Sequence, residues 1–280
     1  MGLVKNLWRG FAGGADLNRQ QTLRFILEDI QVQVRLPYSN VDSEQPPRLV
    51  NYSYKTPGWF ESNMHQQRQH YYVHLQSRCW FYLFPLLRFG DGEQGHLFCS
   101  LWLKRVPADV NALDRQQLVD YVIEEHNEHY NADYEPDTPY SHGKGINTEI
   151  RLKTRAEAEL AASRGSPHRL ENLEKYTAIA IENHGFPSLT PASIIQLHGQ
   201  HWVYYQDKRR QDSPDGEDFY CLPLDSRYYF AISFQLYAPS YGNKRWLKHA
   251  KATQQMVLDS LKVSPADNTA DNLLVHTNDK

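Results

Sequence analysis

The sequence predicts an α+β fold built from antiparallel, hairpin-rich sheets with helices packed on one face. Apolar residues alternate with period two over several short runs, and Gly-, Pro- or Asp-containing turn sequences separate these runs. Helical patterns follow groups of strands and do not alternate with single strands, which favours antiparallel sheets over βαβ winding. A chain of 280 residues is long enough for one large domain or two ordinary ones.

The first predicted half covers residues 21–135. Apolar residues alternate from Leu23 onward and change phase at Glu28-Asp29, which predicts a turn or a bulge there. Further along, alternate positions of the run 97–103 are apolar, which predicts a strand with one face in the core. Asp114, with a glutamine three residues later, matches a helix N-cap, so a helix is expected from there to about Tyr130.

The second predicted half covers residues 146–263. Alternation over 146–152 and the run 176–181 each predict a strand, and Gly199-Gln200 predicts a two-residue hairpin turn. That turn would make His198 and His201 a cross-strand pair. The run from Tyr228 to Leu236 shows the clearest alternation in the chain, so we expect Phe230, Ile232 and Phe234 on a central strand. A helix beginning near Trp246 follows, and residues 264–280 are expected to form a disordered tail.

Both halves begin with an alternating run, continue through hairpins and end in a helix. The segments 81–86 and 219–224 also resemble each other. An internal duplication of one α+β unit is therefore one hypothesis, and chance similarity between common strand residues is the other.

Composition and charge exclude several classes of protein. The net charge of −3 lacks the basic excess of a general nucleic-acid binder, so no nucleic-acid partner is expected. No run approaches the roughly 18 apolar residues of a transmembrane helix. Three cysteines, an odd and low number, favour a reducing compartment, so we expect a cytoplasmic protein without disulfides. The oligomeric state stays open.

The N-terminal segment, residues 1–20, contains an amphipathic pattern. Leu3, Leu7 and Phe11 recur at every fourth position, which would place them on one face of a helix. One hypothesis is a peripheral protein that docks on a membrane surface through Leu3–Phe11. The alternative is a terminal helix that packs on its own domain.

A cluster of metal-capable side chains lies near the end of the predicted helix 115–130. On a helix, Glu125, His126 and His129 would share one face, and a carboxylate with imidazoles suits Zn²⁺ or Fe²⁺. This pattern gives a second functional hypothesis, a metal-dependent enzyme such as a hydrolase. Its alternative is a solvated polar helix end with no metal.

Aromatic residues provide the leading functional hypothesis. Trp202 with Tyr204 and Tyr205, and Tyr228 with Tyr229, lie on predicted strands, where consecutive rings point to opposite faces of a sheet. One ring of each consecutive pair should therefore enter the core, and its neighbour should face either solvent or a covering layer of helices. Because no nucleophile motif or phosphate-binding loop is present, we expect a non-enzymatic accessory protein without a cofactor that recognises another protein through an aromatic sheet face.

Overall fold

The computed structural model describes residues 13–39, 49–67, 70–83, 93–134, 143–189, 192–208, 214–238 and 244–266. The amphipathic pattern Leu3–Phe11 and residues 267–280 of the predicted tail lie outside these ranges. The predictions for those two segments therefore stay predictions.

The predicted α+β class is confirmed. Within the described ranges the strands are β1 (Asp16–Leu27), β2 (Ile30–Tyr38), β3 (Leu49–Tyr52), β4 (His65–Gln67), β5 (His70–Leu83), β6 (Glu93–Arg105), β7 (Ala192–Leu197), β8 (Gln200–Asp207), β9 (Gly216–Pro223), β10 (Tyr228–Tyr237) and β11 (Lys262–Pro265). The helices are α1 (Trp59–Asn63), α2 (Arg115–Asn131), α3 (Ile146–Ser163), α4 (His168–Glu171), α5 (Leu173–His184) and α6 (Lys244–Ser260). None of these helices has the length and apolar character needed to cross a membrane.

The chain forms two compact units, each drawn from separated stretches of sequence. The first unit contains residues 1–64, 78–97 and 239–280, and the second contains residues 65–77 and 98–238. The hypothesis that two consecutive halves arose by duplication stays a prediction.

The first unit contains a four-stranded sheet in the order β11-β2-β1-β3. The predicted turn at Glu28-Asp29 joins β1 to β2, and Glu28 adopts a positive φ of 58° there. Most neighbouring strands of this sheet are antiparallel, but β1 and β3 pair in parallel over four residues. The antiparallel prediction thus holds for the hairpin and fails at this one edge.

The predicted C-terminal helix is α6, and it packs against β2 of the first unit. Near its end, the Ser260 hydroxyl accepts a hydrogen bond of 2.9 Å from the Arg35 backbone N–H. The chain then continues into β11, where Ser264 and Pro265 pair with β2. The prediction that the disordered tail begins at Ser264 is therefore wrong, because the backbone there adds an edge strand.

The second unit contains most of a seven-stranded sheet in the order β4-β5-β6-β10-β9-β8-β7. β10 is the middle strand of this order, and its residues Phe230, Ile232 and Phe234 are all buried. The prediction of a central strand at this position is confirmed.

Helix α2 packs against β7 and β8 of that sheet. Its predicted N-cap is confirmed, since the Asp114 side chain accepts hydrogen bonds from the backbone N–H groups of Gln116 and Gln117. A buried cluster joins the helix to the strands: Val106, Ala112, Leu118, Val119, Tyr121, Val122, Leu189, Val203, Tyr205, Cys221, Tyr229 and Ala231.

Two predicted strands of the second half are wrong. Residues 146–152 belong to helix α3, and residues 176–181 belong to helix α5. Ile146 and Ile150, taken as one face of a strand, are also four residues apart and so share a helix face. The helix also gains an ion pair of 2.6 Å between Glu149 and Lys153, again four residues apart.

The predicted hairpin between β7 and β8 forms, but its turn is displaced by one residue. The loop is His198-Gly199, with φ of 52° and 77°, and the positive φ at both positions is typical of a type I′ turn. His201 pairs with Gln196 across the hairpin. The expected cross-strand pair of His198 and His201 is therefore wrong.

The central position of Phe230 gives a stability prediction. Substitution Phe230→Ala should lower the free energy of unfolding by about 3–5 kcal/mol, because it opens a cavity in a fully buried site. Urea titration would measure the change. Ile194→Ala on the edge strand β7, where the side chain is exposed, serves as control and should cost less than about 1 kcal/mol. Equal losses for the two variants would contradict the central placement.

Candidate functional site

A cavity of about 250 Å³ lies in the second unit, lined by helix α2 and one face of the seven-stranded sheet. We call it the α2 cavity. Polar, charged and aromatic side chains line it together: Tyr72, Phe98, Ser100, Trp102, Lys104, Val122, Glu125, His126, Leu189, Tyr205, Asp207, Glu217, Phe219 and Gln235. Such a mixture is typical of a ligand site, where apolar walls surround a few polar groups.

Strand β6 supplies much of the cavity wall because its two faces differ. Leu101 and Leu103 lie on the apolar face that the sequence predicted, and both are fully buried. The intervening Ser100, Trp102 and Lys104 lie on the opposite face and line the cavity. The sequence analysis did not identify this second face, although its alternation of polar and aromatic residues was the available signal.

The α2 cavity holds charged side chains at unusual depth. Lys104 is 7% exposed and Glu125 is 3% exposed, and charged residues are almost never so deeply buried unless they are paired, so both side chains have interaction partners. The Lys104 ammonium lies 5.0 Å from the centre of the Phe219 ring, a cation–π distance. Asp207 and Glu217, both half-buried, add two further carboxylates to the lining.

The His126 ring is held in one orientation. Its Nε2 lies 3.0 Å from the Pro187 carbonyl oxygen, which can only accept, so Nε2 carries the hydrogen and donates. Its Nδ1 lies 3.9 Å from an Asp207 carboxylate oxygen. In the neutral ring Nδ1 is therefore an acceptor, and protonation there would place a cation beside Asp207.

The segment that supplies Pro187 is itself fixed by helix α3. The Asn147 side chain donates to the Phe186 carbonyl at 2.7 Å and accepts from the Phe186 N–H at 2.9 Å. A Cβ on Gly185 would lie 2.4 Å from the Asn147 side-chain oxygen, so this close approach requires glycine. The Phe186 ring stacks on Tyr130 of α2 at 3.9 Å. These contacts position both the His126 partner and one edge of the cavity.

Two of the three predicted metal ligands, Glu125 and His126, line the α2 cavity, and His129 is not among its lining residues. Both histidine rings pack against Tyr130, His126 at 4.7 Å and His129 at 4.9 Å. All three side chains are buried, so the alternative interpretation as a solvated helix end is wrong. In the part of the chain that the structure describes, no group of three or more His, Cys, Asp or Glu side chains is arranged to hold a metal ion. The Zn²⁺ or Fe²⁺ hypothesis gains no support from this geometry.

The predicted aromatic surface is largely internal. Trp202 and Tyr229 are buried, while Tyr204 and Tyr228 are half-buried. The expectation that one ring of each pair enters the core is confirmed. The Trp202 ring meets Phe230 at 6.3 Å, and the Tyr204 hydroxyl donates to Asp218 at 3.0 Å. The four rings therefore do not form one exposed face.

Ser100 and Tyr229 carry buried hydroxyl groups that lack hydrogen-bond partners among the described residues. Ser100 is 1% exposed and lines the α2 cavity, whereas Tyr229 belongs to the buried cluster beneath α2. A buried hydroxyl without a partner costs about 1–3 kcal/mol, so such groups are rare in interiors. Ser100 thus combines a buried hydroxyl that has no partner among the described residues with a position in the cavity wall.

Burial also suppresses ionisation around the α2 cavity. Burial raises the pKa of Tyr205 and Tyr229 well above the usual range, and nearby groups, including the Glu125 carboxylate, add to both shifts. Burial raises the pKa of the Cys221 thiol to about 12, against a smaller opposing effect of Lys104. These three groups therefore stay neutral at physiological pH.

Comparison with protein-family models gives no match for this chain, and comparison with curated proteins gives none either. The geometry and chemistry of the α2 cavity are therefore the basis for assigning a function to this protein.

The unpartnered Tyr229 hydroxyl gives a prediction about stability and pH. Tyr229→Phe should raise the free energy of unfolding by about 1 kcal/mol at pH 7, because it removes a buried polar group that has no hydrogen-bond partner among the described residues. The raised pKa of Tyr229 contributes stability that is present below pH of about 10 and lost above it, so the variant should also lose less stability at pH 10.5.

Urea titrations at pH 7 and pH 10.5 would measure both effects of Tyr229→Phe. Tyr204→Phe is the matched control, because its hydroxyl donates to Asp218 and its removal should destabilise the protein by about 1–2 kcal/mol. A Tyr229→Phe variant less stable than wild type at pH 7 would refute the prediction.

The cysteines give a prediction about reactivity. Cys221 is buried with a pKa raised to about 12, so it should resist alkylation by iodoacetamide at pH 8, because the thiolate is the reactive form. Cys79 is half-buried and should react first. Peptide mass spectrometry after brief labelling would show the order, and early labelling of Cys221 in the folded protein would contradict the prediction.

Proposed function

We propose that this protein is a binding protein whose ligand is a small molecule held in the α2 cavity. One observation carries the proposal: the Ser100 hydroxyl, 1% exposed and unpartnered among the described residues, lines a cavity beside the buried charges of Lys104 and Glu125. The interface between a helix and the sheet beneath it is ordinarily filled with apolar side chains, since burying charge costs free energy. A ligand that hydrogen-bonds the Ser100 hydroxyl would explain why this polar group is retained here.

The volume of the α2 cavity limits the size of the ligand that it can hold. Its volume of about 250 Å³ is slightly below the usual range of drug-sized pockets. At about 30 Å³ for each water molecule, it corresponds to roughly eight waters. This volume suits a compound with the dimensions of an amino acid or a short diamine, and it is too small for a folded partner.

The other hypotheses have less support. Protein recognition through the sheet face would depend on Tyr204 and Tyr228 alone, because Trp202 and Tyr229 are buried. A metal-dependent enzyme would need several ligands placed around one ion, and among the described residues Glu125 and His126 belong to no group of three or more His, Cys, Asp or Glu side chains that could hold a metal. Docking on a membrane surface by Leu3–Phe11 stays a separate prediction, since that segment lies outside the described residues.

A fragment screen would test the proposed function without knowledge of the natural ligand. We expect cationic, anionic or neutral fragments of amino-acid size to shift the Trp102 indole N–H resonance in protein NMR, because Trp102 lines the α2 cavity. Ser100→Leu should fill the space and abolish these shifts.

Ser163→Leu is the matched control for Ser100→Leu, because it introduces the same side chain at an exposed helix end. This variant should bind fragments like wild type. If no fragment of any charge perturbs Trp102, or if Ser100→Leu leaves binding intact, the cavity is not a ligand site.

A further inference from the structure

We infer that the α2 cavity selects a small organic cation, an ammonium or guanidinium compound. This inference rests on the proposed function, since it names the class of ligand for the same site. It follows from the charges of the lining, from its aromatic walls and from the Ser100 hydroxyl.

Among the described residues that line the α2 cavity, acidic side chains outnumber basic ones. Three carboxylates line it, those of Glu125, Asp207 and Glu217. Lys104 supplies one ammonium group, and His126 supplies one imidazole. The described lining thus has three acidic side chains and two basic ones. An anionic ligand would meet further repulsion, whereas a cation would offset the excess negative charge.

Aromatic rings form much of the remaining wall: Tyr72, Phe98, Trp102, Tyr205 and Phe219. Ring faces attract cations, and an ammonium group already uses this wall, since the Lys104 nitrogen lies 5.0 Å from the Phe219 ring centre. Carboxylates combined with aromatic faces are the surroundings that suit an organic cation with an apolar body.

The Trp102 ring is fixed before a ligand arrives. The Tyr72 ring meets it at 4.8 Å in an edge-on arrangement, and the Trp102 indole N–H donates to the Ser233 hydroxyl at 3.3 Å. The His74 ring packs against Trp102 at 5.2 Å. A ring held from several sides loses little entropy when a ligand binds to it.

The Ser100 hydroxyl supplies an acceptor for such a ligand. It lines the α2 cavity without a partner among the described residues. Ammonium and guanidinium groups carry only hydrogen-bond donors, so the serine oxygen and the carboxylates would all act as acceptors toward them. One class of ligand thus accounts for the charge, the aromatic walls and the unpartnered hydroxyl.

Three compounds of the same four-carbon length distinguish the ligand classes. 1,4-Diaminobutane is cationic, 1,4-butanediol is neutral and succinate is anionic. We expect 1,4-diaminobutane to bind the full-length protein in isothermal titration calorimetry and to raise its melting temperature, because a ligand specific for the folded state stabilises it. The diol and succinate should bind at least tenfold more weakly.

Charge-neutralising variants locate the bound cation. Glu217→Gln and Glu125→Gln should each weaken 1,4-diaminobutane binding at least tenfold. Glu124→Gln is the matched control, because Glu124 is exposed on the same helix and does not line the α2 cavity. It should bind like wild type. Glu217 is only half-buried, so the Glu217→Gln variant should still fold and keeps the test decisive if Glu125→Gln fails to fold.

Two outcomes would overturn the inference in distinguishable ways. If succinate binds and Lys104→Met abolishes its binding, the site takes anions, and the proposed binding function survives without the cation class. If none of the three compounds binds while the fragment screen still perturbs Trp102, the cation inference is again wrong and the binding function stands. If the fragment screen also fails, both are wrong.

Discussion

The second unit depends on the burial of strands β6 and β10 on both faces. On β6, Leu101 and Leu103 are fully buried on one face, and Ser100 and Lys104 are buried on the other. Strands that are covered on both sides ordinarily have a continuous run of apolar residues in their sequence. Here one face is apolar while the other carries polar groups, so the helix that covers the polar face must either satisfy those groups or leave space beside them. Helix α2 leaves a space beside these groups, which is the α2 cavity.

The residue pattern of α2 explains how one helix both packs and lines a cavity. Leu118 and Val122 are four residues apart and bury one stripe, and Glu125 and His126 continue that stripe by three and four residues. The stripe therefore changes from apolar to polar where the cavity begins. Downstream residues support this arrangement, since Asn147 of α3 holds the segment whose Pro187 carbonyl accepts from His126. The helices that the sequence analysis mistook for strands thus help to position the site.

Several features follow from local pattern alone. The Asp114 cap, the turn at Glu28-Asp29 and the strand bearing Phe230 agree between sequence and structure, because each depends on neighbouring residues. The errors arose where two periodicities overlap. The run 146–152 fits both period two and a four-residue spacing, and the ion pair between Glu149 and Lys153, together with packing against α5, accompanies the helix that forms. The predicted pairing of His198 with His201 was wrong for a related reason. The turn lies one residue earlier than predicted, so His201 pairs with Gln196.

The sequence by itself determined the α+β class, the alternating core strands and the prominence of Glu125 and His126, because periodicity and side-chain chemistry are local properties. Only the tertiary structure decided that these two residues face Lys104, Asp207 and Glu217 in one cavity. These residues come from helix α2 and from strands β6, β8 and β9, which are far apart in the chain. The tertiary structure likewise decided that Trp202 and Tyr229 are buried. A strand shows which residues share a face, but whether that face is covered depends on elements distant in sequence, because burial is a property of packing between layers.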